Sequence, residues 1–334
     1  MNNNINKIIK DINESIAKLG FNQEVLNLYE PIKYALDNGG KRIRPLLMLL
    51  AYQLFKDDYH LIMKNAIALE IYHNFTLLHD DVMDKADVRR GKPCVHVKWN
   101  ENTAILSGDA MLILAYKLMT EDFCSGACDT KQTLALSKAI DTFNNATLGV
   151  CEGQQLDMDF ENLSDVNENQ YMEMIRLKTS LLLSSALKIG AQLAQANDSD
   201  AQLLYDFGEK IGLAFQLQDD LLDVYADEKV FGKMVGGDIA KNKKTFMLIK
   251  TMQLADNQQY EQLMYWLNLK SFVKHEKFLA VKKIYDDVNI ADICREKIEE
   301  LFMDAMSMLD NVDVPEYKKE DLKLITSKLM NRNS

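Results

Sequence analysis

The chain has 334 residues, 47% of them hydrophobic, and carries 50 acidic against 39 basic side chains for a formal net charge of −11. That carboxylate surplus argues against general nucleic-acid binding, and the longest apolar runs, such as Leu46 to Tyr52, are too short to cross a bilayer. Five cysteines without disulfide-framework spacing, after a polar start that lacks a secretory signal, fit a soluble protein of the reducing cytoplasm.

Only 14 Gly and 4 Pro interrupt a chain rich in Leu, Ala, Met, Lys, Glu and Gln, which predicts an all-α fold. With no convincing linker, residues 1–334 are expected to form a single domain. Helices are expected over 3–18, 23–38, 42–55 and 60–85; the last has an apolar stripe Ile67, Ile71, Phe75, Leu78 and Val82 beside a second stripe His73, Leu77, Asp80 and Asp84. Further helices are expected over 98–121, 131–155 and 166–195. In the last of these Lys178 stands at helical spacing with Met174, Leu181 and Ser185, where an unpaired ammonium is costly and an anionic partner is implied. The segment 199–226 sets Leu213, Leu217, Leu221 and Val224 against Gln216, Asp219, Asp220 and Asp223, with Gly208 and Gly212 open to close helix contact. A helix is expected over 243–254; those over 257–269, 275–288, 291–309 and 318–330 carry no site motif and are expected to complete the core and cover the cavity.

Two stretches share one spelling, Asp80-Asp81-Val82-Met83-Asp84 and Asp219-Asp220-Leu221-Leu222-Asp223. Residues four apart lie on one helix face, so each stretch stacks two carboxylates, an arrangement that weakens a helix. Their neighbours Leu77, Leu78, Phe215 and Leu217 are apolar, which disfavours a plain solvated face. A hard cation gathered by both stretches, Mg²⁺, explains the pattern. Basic clusters follow the turn signals: Lys41, Arg42 and Arg44 after Gly39-Gly40, Arg89-Arg90-Gly91-Lys92-Pro93 after the first acidic stretch, and Lys233, Lys241, Lys243 and Lys244 after the second. Guanidinium forks match phosphate oxygens, and jointly these loops describe a diphosphate site.

The series GGKRIRP at 39–45, LLHDDVMD at 77–84 with RRGKP at 89–93, GQQLD at 153–157, KTS at 178–180 and FQLQDDLLD at 215–223 followed by GKMVGGD at 232–238 resembles that of the trans-isoprenyl diphosphate synthases. These include farnesyl and geranylgeranyl diphosphate synthases, and the likeness runs nearly the full length. It implies an all-α bundle around a deep central cavity, the type I isoprenoid synthase fold, in a homodimer. The implied reaction joins isopentenyl diphosphate to an allylic diphosphate by ionisation, condensation and elimination, giving an all-trans chain of fifteen to twenty carbons, with geranylgeranyl favoured over farnesyl.

By the same resemblance Asp80, Asp84 and Asp219 hold three Mg²⁺ ions with Asp81, Asp220 and Asp223 in support, and Arg89, Lys178, Lys233 and Lys243 clamp the allylic diphosphate. Lys41, Arg44, His73 and Arg90 match the positions that bind the homoallylic diphosphate, while Thr179 and Gln216 offer oxygen dipoles to the carbocation and the departing diphosphate serves as base. Phe75, Thr76 and Tyr72 match the level that sets product length, and Arg332 is a weak candidate for the closing tail. A class I terpene cyclase and a non-catalytic partner subunit are the alternatives; GGKRIRP and the intact second DDxxD favour chain elongation over both.

Overall fold

The computed structural model describes residues 3–124, 128–163, 165–226 and 235–330. In chain order the helices are α1 (Asn3–Ala17), α2 (Leu26–Asp37), α3 (Ile43–Gln53), α4 (Met63–Met83), α5 (Val95–Lys98), α6 (Glu101–Cys124), α7 (Thr130–Asn162), α8 (Glu168–Ile175) and α9 (Leu181–Leu193). They continue with α10 (Asp198–Tyr225), α11 (Gly237–Ala240), α12 (Phe246–Leu254), α13 (Asn257–Asn268), α14 (Lys274–Asp287), α15 (Ile290–Asp310) and α16 (Glu316–Met330). The expected helices are all present, most within a few residues at each end, though α7 continues seven residues past the expected end at 155. Four features depart from them: a β-hairpin at 88–93, the short helices α5 and α11, and a π-helical turn, Arg176–Ser180, that divides the expected 166–195 helix into α8 and α9.

The hairpin pairs β1 (Val88–Arg89) with β2 (Lys92–Pro93) in the register Val88↔Pro93 and Arg89↔Lys92. Its two turn residues, Arg90 and Gly91, both have positive φ, 53° and 75°. That is the pattern of a type I′ turn, whose twist suits a two-residue hairpin and which glycine adopts without strain.

The chain divides into two compact units, one of Met1–Phe143, Ala186–Gln202 and Val314–Leu322, the other of Asn144–Ser185, Leu203–Asp313 and Lys323–Ser334. In the first, α1 buries Ile5, Ile8, Ile12 and Ile16 at helical spacing, and α4 buries Ile67, Ile71, Phe75 and Leu78 with Val82 half-buried. The expected stripe is therefore the packed face of α4, and the neighbouring stripe runs from half-buried His73 to exposed Asp84.

Before α3, Arg42 takes a left-handed conformation (φ 49°) that turns its side chain inward. Its guanidinium meets Glu70 at 2.7 Å, with the two side chains only 5% and 4% exposed. Leu36 O and Asn13 Oδ1 accept further bonds from Arg42, and Asn74 Nδ2 donates to Glu70 Oε1. Satisfying both charged groups in this way is what makes a buried ion pair tolerable. The pair ties α2, α3 and α4 together behind the 39–44 turn, so Arg42, unlike its neighbours Lys41 and Arg44, belongs to the frame.

In the second unit α10 buries Leu213, Leu217, Leu221 and Val224 in a cluster with Tyr171, Ile175, Phe246, Ile284 and Leu301, the face its periodicity predicts. A methyl group on Gly212 would collide with Ser180, so the expected close helix contact is real at that glycine.

One stretch, Glu101–Phe123, is long and apolar enough by length and composition to cross a membrane, contrary to the expectation from uninterrupted runs. It includes Asp109 and Lys117, and its helix packs along α4. Residues Leu106 and Ile113, seven apart on one face, are 61% and 68% exposed.

The ion pair behind the 39–44 turn generates a stability prediction. Replacing Glu70 with Ala strands a buried guanidinium and is expected to cost about 3–5 kcal/mol in urea unfolding. A loss below about 1 kcal/mol, the range of exposed pairs, would mean that the pair does not anchor the turn.

Candidate functional site

Within the first unit the acidic motif closes α4. Asp84 is the C-cap residue, still in right-handed helical conformation, and its N–H donates to Asp80 O at 2.8 Å, so the stacked spacing persists to the last carboxylate. Asp80 is half-buried, Asp84 exposed and Asp81 buried. The hairpin carries Arg89 back over this helix end, where Nε donates to Asp81 Oδ1 at 2.7 Å and NH2 reaches Asp80 Oδ2 at 3.4 Å. Burial raises the Asp81 carboxyl above its ordinary range, while Arg89 and the Cys94 thiol hydrogen bond pull it down. The same burial and the nearby Asp81 push Cys94 up to about 12, so it stays a thiol. The hairpin is itself fastened: Asn38 Nδ2 donates to Arg89 O, Tyr34 OH donates to Pro93 O, and Lys98 Nζ sits 3.9 Å from the Tyr34 ring centroid and 4.6 Å from that of Trp99.

A cation-rich set gathers beside it. Arg44 NH1 and His73 Nε2 lie 3.1 Å apart, and since guanidinium only donates, His73 accepts through Nε2. Burial, then Arg44, Arg90, Arg89 and Arg42, hold His73 well below its usual range, so the ring is neutral. Burial lowers Arg44 to about 10, with Arg90 adding to the shift. Arg90 NH1 donates to Gly39 O, which joins the hairpin turn to the glycine turn. Lys41 is exposed at the same turn.

The second unit supplies a different arrangement. The π-helical turn places Lys178 and Thr179 on one irregular bend, a feature frequent at functional sites. A Cβ at Gly153 would strike the backbone at Leu177 and Lys178, so α7 can touch this bend only because position 153 is glycine. Lys178 Nζ meets Asp157 Oδ2 at 2.6 Å, and the anionic partner expected for this lysine is, in this structure, the last residue of GQQLD. Thr179 Oγ1 donates to Gln216 Oε1 at 3.0 Å, and Gln216 Nε2 donates to Asp220 Oδ1 at 2.9 Å. Tyr171 OH donates to the other oxygen of Asp220. Burial, then Asp238, raises Asp220 to about 7, against the opposing influence of Lys243, Tyr171 and Gln216. Asp223 Oδ2 accepts from the Asp238 N–H at 3.0 Å. Burial followed by Asp238 raises its carboxyl, while Lys243 lowers it. Asp219 is half-buried beside them. Lys233 and Arg332 lie outside the described residues.

Among the described residues no three His, Cys, Asp or Glu side chains converge closely enough to hold an ion. The donor chemistry nonetheless suits Mg²⁺, since every acidic-motif ligand is a hard carboxylate oxygen. Asp81, Asp220 and Asp223 accept from protein donors, Asp80 is in reach of Arg89, and exposure rises from buried Asp81 and Asp220 through half-buried Asp80, Asp219 and Asp223 to exposed Asp84. One turn and more below the first motif, the rings of Phe75 and Tyr72 meet at a tilt of 54° with centroids 5.5 Å apart, and Tyr72 meets Phe143 edge-on at 5.6 Å. Thr76 turns its hydroxyl onto His73 O. Cys94, Asp157 and Tyr171 entered through the structure alone; for Asp157 the GQQLD spelling was the available signal, and for the other two there was none.

A family model described as polyprenyl synthetase matches residues 25–288. A geranylgeranyl diphosphate synthase of Sulfolobus acidocaldarius is 36% identical over 317 residues, covering 94% of this chain and 94% of that one. The crystal structure of a geranylgeranyl pyrophosphate synthase superposes with a TM-score of 0.92 at 40% identity over 100% of both chains. A polyprenyl synthase of Caulobacter crescentus, complexed with calcium and isoprenyl diphosphate, gives 0.82 at 26% identity, over 99% of this chain and 94% of that one.

The raised Asp220 generates a pH prediction. Its folded-state pKa, about 7, lies above the ordinary 3.8, so the folded chain holds the extra proton between those values. That contribution to stability is fully present below pH 3.8 and lost as pH rises through about 7. In metal-free buffer the melting temperature of Asp220→Asn should therefore depend less on pH across this window than that of the parent. Parallel profiles would remove the assignment.

Proposed function

The chain belongs to the polyprenyl synthetase family, and from that premise we propose that it joins isopentenyl diphosphate to an allylic diphosphate and releases geranylgeranyl diphosphate as its main product. The observation that supports this reading is the presence of two unlike sets of charged side chains. Carboxylates with Lys178 and Lys243 suit a diphosphate that arrives with metal, whereas Arg44, Arg90 and Lys41 beside a neutral His73 suit one that arrives without it. A terpene cyclase or a non-catalytic subunit needs no second set.

Asp80, Asp84 and Asp219 would hold Mg²⁺, three ions in all, with Asp81, Asp220 and Asp223 fixed behind them. Bound Mg²⁺ supplies positive charge that offsets the repulsion between carboxylates and diphosphate, about 4 kcal/mol per close charge pair at an effective dielectric near 20, and polarises the leaving oxygen. Arg89, Lys178, Lys243 and, from its motif, Lys233 neutralise the departing diphosphate. Thr179 and Gln216, joined by their hydrogen bond, turn oxygen dipoles toward the allylic cation. Arg44, aligned by His73, holds the homoallylic diphosphate with Arg90 and Lys41 while its double bond attacks, and the proton lost in forming the new alkene passes to the released diphosphate. Positioning and charge stabilisation do the work, and no nucleophilic side chain is required.

The whole chain, 1–334, acts as one catalytic domain in the cytoplasm, and as a homodimer. The exposed apolar residues Leu106 and Ile113 of α6 and Leu134 of α7 support pairing with a second copy; sedimentation as a monomer at working concentration would remove that part of the reading.

Incubation with Mg²⁺, isopentenyl diphosphate and allylic diphosphates of increasing length should give a twenty-carbon all-trans product. A cyclic hydrocarbon from one substrate, or no turnover, would overturn the proposal. Asp80→Ala and Asp219→Ala are each expected to lower turnover at least about a hundredfold with unchanged unfolding, and near-normal turnover in either would sink the metal assignment. The touching rings of Phe75 and Tyr72 are proposed as the floor of the growing chain. Phe75→Ala, and more so the double replacement with Tyr72→Ala, should lengthen the products, and an unchanged product profile would place the floor elsewhere.

A further inference from the structure

The side chain of Lys277, on α14, is fully buried in the second unit, and its own helix carries no sequence motif. Burying an ammonium is costly unless something in the fold needs it. Its hydrogen-bond acceptor is a neutral group, Asn242 Oδ1, and the ring of Phe272 lies 4.2 Å from Nζ. Burial and the nearby Lys244 both lower its affinity for a proton.

Asn242 occupies a left-handed conformation, φ 56°, one residue before Lys243. A residue with a side chain keeps such a conformation best when that side chain is held by hydrogen bonds. Asn242 is held twice, by Lys277 at its oxygen and by donation from Nδ2 to Leu267 O at 2.9 Å. The other end of the segment is gripped from the same helix: the ring of Phe278 leaves no room for a side chain at Gly236. Between these grips, Gly236 N donates to Asp223 O at 2.6 Å, Asp238 N donates to Asp223 Oδ2, and Lys243 N donates to Asp238 O at 2.9 Å. Lys243 bears electrostatically on both Asp220 and Asp223. Adjacent residues of α14 thus fasten both ends of the turn that brings Lys243 to the second acidic motif.

We propose that Lys277 is a positioning residue for diphosphate binding: through Asn242 it fixes the left-handed turn from which Lys243 reaches the anion. The inference rests on the reading of Lys243 as a diphosphate ligand, and it extends that reading to a buried lysine outside the acidic motif.

Isothermal titration of the full chain with inorganic pyrophosphate and Mg²⁺ tests it, alongside KM for the allylic substrate. Lys277→Met, which keeps the length and removes the charge, should weaken pyrophosphate about tenfold, a coupling of the size found between contacting residues, and raise KM more than it lowers kcat. Lys277→Arg should recover part of the affinity. In a Lys243→Ala background Lys277→Met should have no further effect, an outcome that general destabilisation would not give. Wild-type affinity in Lys277→Met, or losses that multiply in the double variant, would overturn the proposal. Full affinity in Lys243→Ala alone would fail the ligand reading first, and this inference with it. Should Lys277→Met not fold, Asn242→Gly keeps the left-handed turn, removes the acceptor and is held to the same outcomes.

Discussion

Every inward-pointing acid in this protein must be given a donor, and the architecture around both acidic motifs follows from that requirement. A carboxylate at the apolar face of a helix either finds hydrogen bonds or takes up a proton. Asp81 is met by the Arg89 fork and the Cys94 thiol, Asp220 by Tyr171 and Gln216, and Asp223 by the backbone of the following turn. Glu70, deeper still, is matched by Arg42. The hairpin, the short α11 and the 39–44 turn are, in this light, delivery devices for donors. Where the donors fall short, as at Asp220, protonation supplies the remainder.

The two motifs share a spelling and differ in their surroundings. The first is served by a guanidinium on a β-hairpin and stands above two touching aromatic rings. The second is served by a tyrosine and an amide, and by a lysine on a turn fastened from α14. At the first motif a permanently charged Arg opposes the upward push of burial on Asp81. At the second the direct side-chain donors to Asp220 are neutral, and Lys243 only partly offsets the raised carboxyl.

Much of this was legible beforehand because helical spacing is a strong signal. The 3.6-residue period located α4 and α10, identified Leu213, Leu217, Leu221 and Val224 as core, and put each pair of outer carboxylates on one face. What spacing could not reveal is which side of a turn faces inward. Arg42 stands between Lys41 and Arg44 in one basic run, and only its positive φ sends it to Glu70. The hairpin escaped because its strands are two residues long and rich in charge, too short for alternation to register. The π-helical turn escaped because its residues have ordinary helix preferences, and the cause is tertiary: Gly153 and Gly212 bring neighbouring helices against it. Lys277 gave no signal, since a lysine in an amphipathic helix reads as solvated until its burial is seen.

The π-helical turn has a further consequence. A π turn inserts one residue into a helix while leaving both flanks intact, which rotates the sequence on one side by about 100° relative to the other. Lys178 and Thr179 owe their directions to that extra residue. A one-residue deletion anywhere in 176–180 would restore regular hydrogen bonding and better local geometry, yet point this bend elsewhere. With Lys178 and Thr179 in the roles proposed for them, a more regular helix here would come at the expense of turnover.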